Sequence, residues 1–285
     1  MKEKNKVAII VDTSCDVPKG FLKENEIDVI PMGCIIGDEV HAEGDEISSQ
    51  ELLNKVREKG VMPKTSAPSV VDFEEHFAKL LQNADEVLSL SISSGASCTY
   101  NNSVLASEKF NGKVVCVDTK SLSGGFGLLL IKAVKLRDAG YDANHIKAEI
   151  LTLLDKVNLS FVVDTMEFLY KGGRCSSMQY YGAKILKIHP GITMVDGKLK
   201  SNAKYFGNVN KCYLKYAEDL KNKYPDYDNS ICLVTHSPME DKNVQVVIDK
   251  VKEMFNFKEI YEVDASSTIT CHCGENTLGI LFIYK

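Results

Sequence analysis

The chain has 285 residues, 44% hydrophobic and 26% charged, with 34 basic against 39 acidic residues and a net charge of −5. That is long enough for two modest domains sharing a cleft, and it lacks the basic runs that a nucleic-acid partner requires. Residues 1–12 hold too few apolar side chains for a signal peptide, and no segment reaches membrane-spanning length, so a cytoplasmic protein is expected.

Residues 7–11 read as a short apolar strand, followed by Asp12-Thr13-Ser14-Cys15-Asp16 at the end where open α/β sheets place ligands. The loop is either a site wall or hydroxyl and carboxylate turn chemistry, because a D-x-D signature would need a second carboxylate at Ser14. Residues 29–36 read as a second strand. Ser48-Ser49-Gln50-Glu51 is a capping box for a helix with Leu52, Leu53 and Val56 on its apolar face, ended by Gly60. In Thr65-Ser66-Ala67-Pro68-Ser69, Ser69 is the N-cap of a helix with Asp72 three residues on. Thr65 then either belongs only to the cap approach or delivers a hydroxyl to the stretch that follows.

That stretch, residues 89–103, reads SLSISSGASCTYNNS, an apolar run breaking into hydroxyls and one glycine before a helix start. Such a turn gathers backbone N–H groups and the Ser93, Ser94, Ser97 and Thr99 hydroxyls at the positive end of a helix dipole, a setting for an anion. It holds no lysine or arginine and no G-x-x-x-x-G-K-[ST], so a carboxylate or a nucleophilic serine fits better than a nucleotide phosphate.

Residues 114–117 form the next strand, and Ser121, Ser123, Gly124, Gly125 and Gly127 lead into a helix over 128–139 that Gly140 stops. A polar helix over 144–156 closes at Asn158, where the pattern changes. Two domains are expected, 1–158 and 159–285. In the second, 161–163 is a strand, Lys171-Gly172-Gly173-Arg174 is a turn with a prominent cation, and Asp196-Gly197 joins 192–195 to 198–206 as a β-hairpin. Helices at 209–223 and 244–255 enclose a strand at 231–235, and strands at 259–263 and 278–284 flank 266–276. The expected architecture is α/β: a mainly parallel sheet in the N-terminal domain, a mixed sheet with flanking helices in the C-terminal domain, and a cleft between them.

Nine cysteines, several inside apolar strands, suit buried free thiols. Cys271-His272-Cys273 lacks a second pair at zinc-ligand spacing, and alternation along a strand would point its members to opposite faces, so no metal is expected.

The joint order of these motifs resembles the DegV family across essentially the whole chain. The matching set is Asp12 to Asp16, Thr65-Ser66-Ala67-Pro68-Ser69, Ser93-Ser94-Gly95-Ala96-Ser97-Cys98-Thr99-Tyr100, Asp118-Thr119 with Gly125 and Gly127, Gly172-Gly173-Arg174, Asp196-Gly197, and His272 with Gly274 and Gly279. The resemblance implies a two-domain α/β protein that holds a long-chain fatty acid between its domains. It further implies a lipid-binding subunit with no cofactor or activity of its own, presenting the acid to a separate fatty acid kinase for acyl-phosphate formation in phospholipid metabolism. By position, it implies that Thr65 and Ser97 hydrogen-bond the carboxylate, that backbone N–H groups near Cys98 help, and that His272 lies close, with Ser93 and Ser94 in the same hydroxyl set.

Three departures bear on that expectation. Cys98 stands where the family usually has glycine, Glu275-Asn276 replaces the usual Pro-Gly after His272, and Phe206 occupies a hairpin position where kinase-associated members commonly carry arginine. Two other readings stand beside the carrier. One is a serine-dependent acyl ester hydrolase, since Gly95-Ala96-Ser97-Cys98-Thr99 approximates G-x-S-x-G and Ser97, Asp264 and His272 follow the α/β-hydrolase order, although the last glycine is missing. The other is a binder of a different small carboxylate.

Overall fold

The computed structural model describes residues 6–43, 46–176 and 188–285. Its first half runs β1 (Val7–Asp12), α1 (Phe21–Glu24), β2 (Asp28–Ile30), β3 (Gly33–Ile36), β4 (Glu39–Ala42), α2 (Ser49–Lys59), β5 (Lys64–Ser66), α3 (Val70–Leu80), β6 (Glu86–Ser91), α4 (Thr99–Ser107), β7 (Val114–Asp118), α5 (Ser123–Asp138) and α6 (Ala143–Leu151). The second half runs β8 (Val157–Asn158), β9 (Ser160–Val162), α7 (Glu167–Lys171), β10 (Ile188–Val195), β11 (Lys198–Phe206), α8 (Val209–Lys223), β12 (Ile231–His236), α9 (Asp241–Met254), β13 (Glu259–Asp264), α10 (Ser267–Cys273) and β14 (Leu278–Ile283).

Strands β2, β1, β6 and β7 form a parallel sheet in that order. β1, with sequence VAIIVD, is buried on both faces, as a parallel strand between two helical layers must be. Alternation sends Val7, Ile9 and Val11 toward Phe126, Leu130 and Ile146 of α5 and α6, and Ile10 toward Phe73 and Phe77 of α3. The capping boxes of Ser48 with Glu51 and Ser69 with Asp72 both form, and Gly60 closes α2 with a φ of 64°.

The C-terminal sheet has the order β11-β10-β9-β14-β12-β13, with β8 beside β14. It is mixed, since β12 and β13 run parallel while the other pairs are antiparallel. Asp196 and Gly197 turn the β10–β11 hairpin with φ values of 51° and 73°, the two positive values that a two-residue hairpin turn matching strand twist requires. Helices α8 and α9 cover one face through Tyr213, Tyr216, Val247 and Val251. The other face turns inward: Leu159, Leu233 and Leu281 pack with Ile92, Leu122 and Leu128.

Four local expectations are corrected. Residues 29–36 are two strands, because Pro31 has no N–H to continue a ladder. β2 stays in the parallel sheet, whereas β3 joins β4 and β5 in a separate antiparallel sheet. α5 begins at Ser123 and takes the glycines into its first turns, where a Cβ at Gly127 would overlap the Asp16 carbonyl. α6 ends at Leu151, well short of 156, and is followed by a short 3₁₀ turn at Leu154–Lys156. Cys271, His272 and Cys273 lie on α10, not on a strand, with Ser266 as N-cap.

Candidate functional site

In the parallel sheet, connections leave β1 toward β2 on one side and meet β6 on the other, so the crevice between the carboxyl ends of β1 and β6 is the switch point where open sheets bind ligands. Asp12 closes its floor. One carboxylate oxygen accepts from Ile92 N–H at 2.8 Å and the other from Ser14 N–H at 3.1 Å, with the Ser14 hydroxyl beside it. Burial raises its pKa, against the lowering effect of those bonds. The Asp12–Asp16 loop is thus turn chemistry: Asp16 accepts from the Ser123 hydroxyl at 2.5 Å and from Ser266 N–H, the N-cap of α10, at 3.0 Å. Burial pushes the Asp16 carboxyl up to about 7, with the Ser123 and Ser266 bonds working against it.

At the end of β6 lies a cavity lined by the polar Thr65, Ser97, Arg174, Thr268 and His272 and by the apolar Met32, Ile92, Leu122, Phe161, Leu199 and Ile269. Thr65 is fixed by β5, paired with Cys34 of β3. His272 reaches it from α10, 207 residues away in sequence, with Nε2 2.9 Å from Thr65 Oγ1. Gly172 at the end of α7 makes room for the ring, since a Cβ there would overlap His272 Nδ1.

Burial first, and Arg174 second, lower the His272 pKa to about 3, so the imidazole is neutral near pH 7. Nδ1 is buried without a partner among the described residues. A ring that carries its one proton on Nε2 donates to Thr65 Oγ1 and leaves the threonine O–H free to donate into the cavity. Ser97 is prepared similarly: its Oγ accepts from Thr99 N–H at 3.3 Å and sits 2.8 Å from Thr99 Oγ1. Arg174 donates to the Ala96 carbonyl at 3.1 Å and braces the turn. Its own pKa is lowered by burial.

The remaining hydroxyls of that turn point elsewhere. Ser93 Oγ donates to the Gly197 carbonyl at 2.7 Å, tying the turn to the hairpin tip, and a Cβ at Gly95 would overlap the same carbonyl. Ser94 Oγ accepts from Lys120 at 3.0 Å. Cys98 is exposed at the N-cap of α4. None of these three is among the residues that line the cavity. The hydrolase constellation is not assembled either: the Asp264 side chain is 96% exposed and lies 3.8 Å from His236, while His272 is engaged with Thr65.

Sequence reasoning passed over the apolar wall. Phe161, Leu122, Ile269 and Cys273 also line a second cavity, with Leu159, Thr235 and Leu281 beyond them. The two are small, about 50 and 30 Å³, below the several hundred Å³ of an open small-molecule site, so a long-chain ligand enters only if the side chains between them part. Buried Glu43 was also missed; it fixes α10 by accepting from Thr268 N–H at 2.6 Å. No local signal marks it. Among the described residues no helix is long and apolar enough to cross a membrane.

The DegV family model, described as "Uncharacterised protein, DegV family", matches residues 6–285. A fatty acid-binding protein of Thermotoga maritima is 30% identical over 96% of this chain and 96% of its own length. Among solved structures, a DegV family protein from Thermus thermophilus, described by its fatty acid binding, superposes with a TM-score of 0.90 at 25% identity, covering 98% of this chain and 100% of that one. A Streptococcus pneumoniae fatty acid kinase (Fak) B3 protein loaded with linoleic acid shares the fold at 19% identity, with a TM-score of 0.85 over 98% of this chain and 100% of that one.

Proposed function

The chain belongs to the DegV family, and from that membership we propose that it binds a long-chain fatty acid between residues 1–158 and 159–285, with the carboxylate on Thr65 and Ser97. Backbone N–H groups near Cys98 assist, and the bound acid is presented to a separate fatty acid kinase for acyl-phosphate formation, with no chemistry by the carrier itself. One observation carries the reading: hydroxyls from β5 and the 92–98 turn and an imidazole from α10 line one cavity whose walls are otherwise mostly apolar and which shares Leu122, Phe161, Ile269 and Cys273 with a second. The Thermotoga and Thermus relatives, named for fatty acid binding, support the same ligand class.

The energetics divide between the two ends. Each buried CH₂ is worth about 0.8 kcal/mol, so a long tail supplies on the order of 10 kcal/mol before association costs. A hydrogen bond to a charged group nets roughly 1.5–3 kcal/mol, so the head site orients the acid more than it holds it. Two donated hydroxyls with a neutral imidazole behind one of them suit an ionised carboxylate, and Arg174 adds favourable charge nearby.

The test supplies the purified protein, loaded with a labelled long-chain fatty acid, to a fatty acid kinase with ATP. Acyl phosphate is expected only when carrier, kinase and ATP are all present. Acyl phosphate formed equally well without the carrier removes the presenting role, and failure of the carrier to retain any fatty acid removes the binding role.

A further inference from the structure

The second cavity lies between the inner face of the C-terminal sheet and the start of α5, and it is not wholly apolar. Thr235 of β12 is 5% exposed, and its Oγ1 has no hydrogen-bond partner among the described residues. The other hydroxyls on that wall are engaged: Ser123 donates to Asp16 at 2.5 Å, Thr277 donates to the Cys273 carbonyl at 3.0 Å, and Ser237 accepts from Thr277 N–H at 2.9 Å. Gly124 brings the start of α5 close to the Thr235 hydroxyl, since a Cβ there would stand 2.5 Å from Oγ1. Across the ladder its partner is Gly279, which adds no side chain.

Valine has the same shape and β-branching as threonine, so packing alone gives no reason for a hydroxyl here. A buried hydroxyl left unpaired is costly, whereas a partner arriving with the ligand recovers the bond. A site built to hydrogen-bond a ligand oxygen discriminates against the analogue that lacks it.

We propose that the far part of the acyl site reads an oxygenated tail: a long-chain fatty acid with a hydroxyl in its distal half, hydrogen-bonded by Thr235 Oγ1. The inference rests on the fatty acid reading above and adds a substrate class to it. The first cavity takes the head, the shared wall of Leu122, Phe161, Ile269 and Cys273 takes the middle of the chain, and Thr235 meets the ligand oxygen beyond them.

The experiment is competitive displacement of a bound fluorescent fatty acid by octadecanoic acid and by octadecanoic acids carrying one hydroxyl at successive distal carbons. Wild type, Thr235→Val and Thr235→Ser are compared. At one or two hydroxyl positions, the affinity ratio of hydroxy acid to plain acid should be about two- to tenfold higher in wild type than in Thr235→Val, the worth of one neutral hydrogen bond. Thr235→Ser should keep that advantage, and Thr235→Val should bind plain octadecanoic acid at least as well as wild type. A ratio unchanged by Thr235→Val at every position overturns the proposal, since the hydroxyl would then be satisfied by water alone. Failure of the wild type to bind the probe and both kinds of acid overturns the fatty acid reading itself, a distinct result.

Discussion

The loops at the carboxyl ends of β1 and β6 are neighbours made of similar small polar residues, yet they do different work. In residues 12–16 the polar groups that reach other elements are two carboxylates turned into the protein: Asp12 and Asp16 are at most 4% exposed, and they fasten the β6 turn, α5 and α10 to this loop. In residues 92–98 the polar groups are hydroxyls, and one of them, Ser97, is left on a cavity wall. An ionised carboxylate only accepts hydrogen bonds, so it can gather backbone N–H groups but repels an anionic ligand. A hydroxyl can accept from its own backbone and still donate outward. The first loop therefore builds the frame and the second meets the ligand.

That division can be broken or sharpened by substitution. The largest effect is expected from Asp16, whose carboxyl is pushed up to about 7 by burial, from about 3.9 in an unfolded chain. Between these values the native state holds a proton that the unfolded state has released, so this group's contribution to stability is full below pH 4 and is lost as pH rises through 7. The loss is at most roughly 4 kcal/mol. Asp12 and Glu43 are also raised by burial, so the comparison is between proteins: chemical unfolding of Asp16→Asn from pH 4 to 8 should show a shallower decline than wild type. Parallel curves would place Asp16 outside the frame.

Asp12→Ala comes next. It leaves the buried Ile92 N–H without its acceptor and should cost about 3 kcal/mol in urea unfolding. A cost below about 0.5 kcal/mol would mean that the β6 turn does not depend on this clasp. In the second loop the pattern should reverse. Ser97→Ala, and Thr65→Ala across the cavity, should each weaken fatty acid binding about tenfold, with an unfolding midpoint close to wild type. Calorimetric titration checks the first quantity and thermal unfolding the second. The smallest effect belongs to Ser94→Ala, whose hydroxyl faces Lys120: fatty acid affinity should change by less than about twofold. A tenfold loss there would return Ser94 to the binding site.

The parts of this frame that depend on neighbours in sequence were legible. The capping boxes at Ser48 and Ser69, the Asp196-Gly197 turn and the apolar run of β1 each state their own geometry, and the structure forms all of them. The parts that depend on distant partners were not. Pro31 splits what reads as one apolar run, because its missing donor matters only once a sheet exists to receive it. The glycines of α5 look like a loop until Thr235, Leu159 and Asp16 are packed against them. At the site, the hydroxyl cluster of the 93–99 turn was plain, but its division was set by Gly197, 104 residues from Ser93, and by Lys120, 26 residues from Ser94. The contact of Thr65 with His272 spans 207 residues. α10 itself was hidden because an N-cap serine and a closing glycine also punctuate ordinary turns.

The central claim is that this cavity holds a fatty acid by its carboxylate at Thr65 and Ser97. The most direct test is mass spectrometry of lipid released by denaturing extraction from wild type and from the Thr65→Ala/Ser97→Ala double variant, with the intact native mass of each. The account predicts about one long-chain fatty acid per wild-type chain and a large loss of occupancy in the folded double variant. Equal occupancy in the two proteins would contradict the head-group site, and a wild type that is empty and takes up no added fatty acid would contradict the carrier.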